Sequence, residues 1–296
     1  MSVFVAVAEE ESFARGARRL KLSPPAVTRA IAMLEERLGI KLLTRTTRFV
    51  RATDAGLRYL ESARRALAQA DEADEEAAGA HATPRGELAV TAPVLFGNMY
   101  VMPGIIDYLK RYSDVSVSAL FLDRVVNMLE EGLDVGVRIG QLPDSTMRAI
   151  SVGSVRRVIC ASPKYLNKHH TPTEPSALAE HTIIAANPAS SAVEWRLGAG
   201  RTGMTVKIRP RLTVTSNDAA IHAALQGFGI TRLMSYQVAS HLAAGRLVRL
   251  FADREPPPLP IHVIHLEGRQ ASAKIRSLVD LLVERLRRNV ALAQTA

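Results

Sequence analysis

The chain has 296 residues, a length that fits about two domains. Apolar residues make up 47% and charged residues 23%, too apolar for a disordered chain, and the one cysteine, Cys160, excludes an intrachain disulfide and a Cys-rich zinc site. The formal net charge of +9 favours a polyanionic partner, and no apolar run approaches the roughly 18 residues of a membrane helix.

The charge is uneven. From Arg15 to Arg58 eleven Lys/Arg stand against three acids, so this short stretch carries nearly all of the net charge. From Glu61 to Arg85 three bases face six acids. A basic block beside an acidic one suits a nucleic-acid-binding module on a neutral body; the alternative is a solvated surface of mixed charge. Met1-Ser2-Val3-Phe4 is not a basic region followed by an apolar core, so no signal peptide and a cytoplasmic location are expected.

In chain order, Phe4, Val5, Val7 and Ala8 suggest a first helix. Ser12 caps a second, with Ala14, Ala17, Leu20 and Leu22 as its apolar stripe. Ser23 caps a third, Pro24 and Pro25 occupy its first turn, and Gly39 stops it after Leu38. Val27, Ile31, Leu34 and Leu38 form one buried stripe on that helix, opposite Thr28, Arg29, Ala32 and Glu36. Leu42 to Thr53 predicts a short β-ribbon bearing Arg45, Arg48 and Arg51. Thr53 or Asp54 caps a long helix to about Ala78, in which Leu57, Leu60, Arg64, Leu67, Asp71 and Asp74 follow a 3-4 spacing. Gly79 to Gly86 is a hinge by composition.

Strands and helices then alternate. Strands are expected at 88–92, 115–121, 133–138, 155–161, 182–186, 205–215, 229–233 and 260–266. Helices are expected at 98–112, 124–131, 218–226, 235–243 and 271–288. The pattern implies an α/β body with helices on both faces of its sheets.

The helices at 12–21 and 23–38 are separated by a very short turn, the layout in which a second helix enters the DNA major groove while the first braces it. The residues expected at base edges are Ser23, Pro24, Pro25, Thr28 and Arg29. Arg29 suits a guanine edge or a phosphate, Thr28 a thymine methyl or a phosphate oxygen. Arg45, Arg48 and Arg51 suit backbone or minor-groove contact, which supplies affinity more than sequence choice. The alternative is an ordinary helical hairpin with a basic surface.

Several blocks in this region occur in a recognisable order: Glu11-Ser12-Phe13-Ala14, Leu22-Ser23-Pro24-Pro25-Ala26-Val27-Thr28-Arg29-Ala30-Ile31, Leu34-Glu35-Glu36-Arg37-Leu38-Gly39, and Arg45-Thr46-Thr47-Arg48 followed by Thr53-Asp54-Ala55-Gly56. They closely resemble the winged helix-turn-helix of LysR-type transcriptional regulators. Thr91-Ala92-Pro93, the run from Glu131 to Gly140 and the run from Val158 to Leu166 look like that family's effector domain. The resemblance implies a winged helix-turn-helix over 1–56, a linker helix and hinge over 57–86, and a two-lobed α/β domain of periplasmic-binding-protein type over 87–296. It also implies double-stranded DNA and a small-molecule effector as partners, with dimers paired through the linker helix, often assembled into tetramers. Pro24 and Pro25 depart from the family, since many members carry Gln or Ser there, and a proline offers no donor to a base.

By the same resemblance an effector sits between the lobes, at strand C-termini and helix N-termini. Pro93, Val94, Phe96, Arg138, Asn217 and Phe228 are the candidates, and free N–H groups there favour an anion. The alternatives are helix caps for Asn217 and Asp218, a structural ion pair for Arg138 and core packing for Phe228. No metal, cofactor or catalytic site is expected. His169-His170 reads as a solvated loop, His222, His262 and His265 lack ligand spacing, Cys160 reads as core and Trp195 as packing. A solute-binding protein built on 87–296 is disfavoured by the basic head. An enzyme is disfavoured by the lack of a nucleophile–base pair.

Overall fold

Local capping cuts the first eighty residues into separate helices. The computed structural model describes residues 1–45, 50–78, 83–142, 147–186, 193–198, 203–266 and 271–292. The chain divides into two compact units, Met1–Ala82 and Thr83–Ala296.

In the first unit α1 (Ser2–Glu9) is followed by Ser12, whose Oγ accepts a hydrogen bond from the Arg15 N–H at 3.3 Å and starts α2 (Phe13–Arg19). Ser23 does the same for the Ala26 N–H at 3.4 Å and starts α3 (Pro24–Leu38), with Pro24 and Pro25 where a missing N–H is harmless. Gly39, at φ +66°, takes the left-handed conformation that ends α3. Phe4, Val7, Ala17, Val27, Ile31 and Leu34 are buried together. Leu38, expected in the same stripe, is 39% exposed; Leu42 and Leu43, just past Gly39, close the core in its place.

Strands β1 (Leu43–Arg45) and β2 (Val50–Ala52) pair antiparallel, with Thr44 opposite Arg51. The tip of this ribbon, including Arg48, lies outside the described residues. The base of the ribbon is clamped from two sides. From α3, buried Glu35 accepts the Leu42 and Leu43 N–H groups at 2.9 and 3.1 Å and pairs with Lys41 at 2.6 Å. From the other side, Thr53 donates its hydroxyl to the Lys41 carbonyl at 2.8 Å and accepts the Gly56 N–H at 2.9 Å, capping α4 (Asp54–Ala78). A Cβ at Gly56 would collide with the Leu42 carbonyl oxygen, so this turn of α4 approaches the ribbon only as glycine.

The second unit is built from two lobes of similar plan. It contains β3 (Gly86–Ala92), α5 (Val94–Phe96), α6 (Met102–Arg111), β4 (Val115–Phe121), β5 (Val135–Ile139), β6 (Arg148–Val155), β7 (Arg157–Ala161) and α7 (Pro163–His169). After these come β8 (Ile183–Ala186), β9 (Val193–Leu197), β10 (Met204–Ile208), β11 (Leu212–Val214) and α8 (Asn217–Leu225). The chain continues through β12 (Ile230–Met234), α9 (Ser235–Ala243), β13 (Val248–Leu250), β14 (Leu259–His265) and α10 (Ala273–Arg287). One sheet has the order β4-β3-β5-β14-β6, the other β11-β8-β12-β7-β13. In each, the first three strands are parallel and the last two pairings antiparallel. The chain crosses between the sheets twice, between β6 and β7 and again between β13 and β14.

The first lobe buries Leu88, Val90, Val137, Val263, Leu278 and Leu282. The second carries apolar clusters on both faces of its sheet, one around Ile159, Ile183, Trp195 and Ile230, the other around Val158, Cys160, Ile184 and Leu233. Cys160 is fully buried, and burial pushes its thiol up to about 12, as befits core packing.

Three sequence expectations are corrected. Residues 124–131 are not a helix: Val126 and Met128 are buried, Val125 and Leu129 exposed, and the Asn127 side chain accepts the Leu129 and Glu130 N–H groups, turning the chain locally. The strand expected over 205–215 is two strands in different sheets, broken at Pro210, which cannot donate to a ladder. The strand expected over 155–161 is the junction of β6 and β7, where the chain passes from lobe to lobe at Arg156. Strands β6, β9 and β13 and helix α7 escaped the sequence pattern.

The Glu35 clamp is testable. Burial pushes its carboxyl up, but Lys41 and the Leu43 and Leu42 N–H groups outweigh it and hold the group below its ordinary value of 4.5. A depressed carboxyl stabilises the fold above the unfolded-state value, and that contribution is lost as pH falls through the folded-state value. The first unit should therefore lose melting temperature in acid, below about pH 4.5. Glu35→Ala, which strands two backbone N–H groups, should cost about 3 kcal/mol in chemical denaturation. Glu35→Gln should cost less and flatten the acid limb.

Candidate functional site

Two surfaces concentrate unsatisfied positive charge. The first is α3 with its ribbon. Pro24, Pro25, Thr28 and Arg29 are all exposed along the N-terminal half of α3. Ser23 is exposed too, but its Oγ is engaged as the cap. Arg51 is exposed on β2; Arg45 is placed by its backbone in β1.

The unit sorts its cations into two groups. Glu9 takes Arg19 and Arg64, each at 2.6 Å. Burial pushes Glu9 up, and the two arginines outweigh it, so the carboxyl lies below its ordinary range. Lys41 is on Glu35. The side chains of Arg18, Arg29, Arg37 and Arg51 make no ion pair or hydrogen bond with the described residues, so their charge is available to a partner.

The second surface is a cavity of about 440 Å³ in the second unit, lined from both lobes. Its walls are built from strand ends and helix starts. Pro93 joins β3 to α5, Asp123 and Arg124 follow β4, and Arg138 lies in β5. From the other lobe come Arg157 at the start of β7, Asn217 at the start of α8, Arg232 in β12, and Tyr236 and Gln237 in the first turn of α9. Such ends leave backbone donors facing the gap, which is why open α/β sheets bind ligands there.

Asp123 is the carboxylate in this lining, and it is engaged. Its Oδ1 accepts the Val94 N–H at 3.0 Å, and its Oδ2 accepts the Asn217 side-chain amide at 2.9 Å, linking the lobes. Arg124 forms a two-pronged pair with Glu131 at 2.8 and 2.7 Å. Arg138 donates to the Val126 carbonyl at 3.3 Å; burial pulls its guanidinium down and Glu131 partly offsets this. Arg232 lies over the Trp195 ring, 5.2 Å from its centroid. Burial pushes the Tyr236 hydroxyl up, and the ring packs edge-on against Phe96 at 5.3 Å.

Of the six residues proposed from sequence, Pro93, Arg138 and Asn217 line this cavity. Val94 turns its N–H to Asp123 and is not in the lining. Phe96 is fully buried among Tyr100 and Tyr236, because it lies one turn into the helix and points to the core. Phe228 is 37% exposed beneath Arg211 in the turn after Gly227 and is also outside the lining. Asp123, Arg124, Arg157, Arg232 and Tyr236 were not anticipated. Arg232 did carry a signal: a charge inside Ile230-Thr231-Arg232-Leu233-Met234, an apolar strand, calls for a partner.

The described residues hold no metal-ligand cluster and no helix long and apolar enough to cross a membrane. Residues 1–57 match the model of the bacterial regulatory helix-turn-helix protein, lysR family, and residues 81–287 match that of the LysR substrate binding domain. The transcriptional regulator CrgA of Neisseria meningitidis is 31% identical over 98% of this chain and 97% of its own. PtxR of Pseudomonas aeruginosa is 32% identical over 96% and 91%. The solved structure of CrgA superposes with a TM-score of 0.62 at 32% identity, covering 96% of this chain and 97% of that one. The full-length virulence activator AphB of Vibrio cholerae gives 0.62 at 25% identity, covering 95% and 97%. These relatives are regulators rather than enzymes, and their likeness spans both units: this chain belongs to the LysR family of bacterial transcriptional regulators.

Proposed function

We propose that this LysR-type regulator grips duplex DNA with the N-terminal half of α3 and the ribbon arginines, and that a small molecule held between the lobes of the second unit biases that grip. The observation that carries the first part is the free, exposed Arg29 on a helix whose opposite face is locked in a core. Arg29 and Thr28 are the residues assigned to base or phosphate contact, and Arg45, Arg48 and Arg51 the residues assigned to backbone. Pro24 and Pro25 contribute shape and apolar contact at the helix start rather than donors.

The cavity supports the second part. Its walls come from both lobes, joined by the Asp123–Asn217 bond, so a ligand there has a different affinity for each lobe spacing. That difference is all a switch requires. We assign Pro93, Arg138 and Asn217 to the effector site, with Val94 positioning Asp123; Phe96 and Phe228 lie outside the lining. The regulator acts in the cytoplasm as a homodimer or homotetramer paired through α4, whose Leu57 is 56% exposed.

Two measurements test the DNA-binding part. Arg29→Ala should weaken operator binding about 10- to 100-fold per protomer in a mobility-shift titration, with unchanged circular dichroism; unaltered affinity excludes Arg29 from the interface. Log affinity should fall linearly with log salt, and Arg51→Ala should reduce that slope by about one per protomer while weakening specific and random DNA alike.

A further inference from the structure

The cavity between the lobes carries more positive charge than the protein neutralises. Asp123 is spent on Val94 and Asn217, and Glu131 on Arg124. Arg138, Arg157 and Arg232 face the cavity with no carboxylate paired to them among the described residues.

The strand register explains the crowding. Arg157 stands opposite Met234, two residues along β12 from Arg232. Both arginines therefore leave the same face of the β7–β12 pair, where Arg157 disfavours the charge of Arg232. Burial, reinforced by Arg157, pushes Arg232 down to about 10, so it remains protonated at neutral pH. Among the described residues it meets the face of Trp195 and no carboxylate. On the opposite lobe Arg138 is half-buried and donates to the Val126 carbonyl; burial disfavours its charge, Glu131 supports it and Arg124 opposes it. A desolvated guanidinium without a carboxylate of its own is a costly arrangement: Arg232 has none, and Arg138 shares Glu131 with Arg124.

We propose that the ligand of this cleft is a small two-ended organic dianion, with one anionic group on Arg157 and Arg232 and the other on Arg138. This rests on reading the cleft as the effector site and names the ligand's chemistry. Guanidinium forks match carboxylate geometry, so a short dicarboxylate is the probe class. A dianion supplies counter-charge to both lobes at once and adds an ionic bridge beside the Asp123–Asn217 bond. A single anion neutralises one wall and leaves the other.

Trp195 is the chain's one tryptophan and lies under Arg232, so its emission reports on this site. The full-length protein is titrated with succinate, adipate, butyrate, inorganic phosphate and the neutral diamide of succinate, at constant ionic strength, by calorimetry and Trp195 fluorescence. At least one diacid should bind and shift the emission, with butyrate and phosphate at least tenfold weaker and the diamide silent. Arg232→Gln and Arg138→Gln should each weaken the diacid at least tenfold, and Arg232→Gln should not lower the melting temperature of the unliganded protein. Arg232→Lys, which keeps the charge, guards against a folding defect. Silence of both diacids, equal binding of the diamide, equal binding of phosphate, or full diacid affinity in Arg232→Gln overturns the proposal. Operator affinity is measured on the same samples with and without each probe. A neutral probe that binds the cleft and alters operator affinity preserves the effector reading while removing the dianion.

Discussion

The second unit depends on the two places where the chain passes from one lobe to the other. At the first, the Arg156 N–H donates to the Ser235 Oγ at 3.1 Å, and the Ser235 N–H donates to the Arg156 carbonyl at 2.7 Å. This reciprocal pair ties the β6–β7 crossing to the start of α9. It sets Arg157, Met234 and Tyr236 at the rim of the cavity. Because β14 returns to the first sheet after the second crossing, the two lobes end with the same sheet order. Two crossing segments join the lobes, and Tyr236 of the second lobe packs on Phe96 and Tyr100 of the first beside them.

Charge is managed by opposite rules in different parts of the molecule. Where a cation has a structural task, a carboxylate meets it: Glu9 holds α2 and α4 through Arg19 and Arg64, and Glu35 holds the ribbon base through Lys41 and two backbone N–H groups. Other cations have no carboxylate among the described residues. Arg29 and Arg51 are solvated, so their lack of a partner costs little. Arg232 is desolvated and has the Trp195 face but no carboxylate among the described residues, an arrangement that is expensive and more informative about a ligand.

The DNA-facing unit is small, and its geometry rests on few contacts. Glu35 reaches from α3 to Leu42, and Thr53 and Gly56 reach the same segment from the start of α4. Helix α3, the ribbon and α4 thus meet at residues 41–43.

The caps at Ser12, Ser23 and Gly39, the long α4 and the class of the second unit were legible in the sequence, because capping and apolar periodicity act over one or two turns of chain. Half of the proposed cleft residues were legible for a similar reason: Pro93, Arg138 and Asn217 lie at strand ends or helix starts recognisable from local pattern. Tertiary structure alone decided that Phe96 faces the core, that Phe228 lies outside the lining, and that Pro210 divides one apparent strand between two sheets. It alone placed Arg157 beside Arg232, since strand register is set by pairing between distant segments and leaves no local mark. Amino-acid order determined the elements and the sign of their charge; which charges were left facing one another across a gap was decided by how the sheets closed.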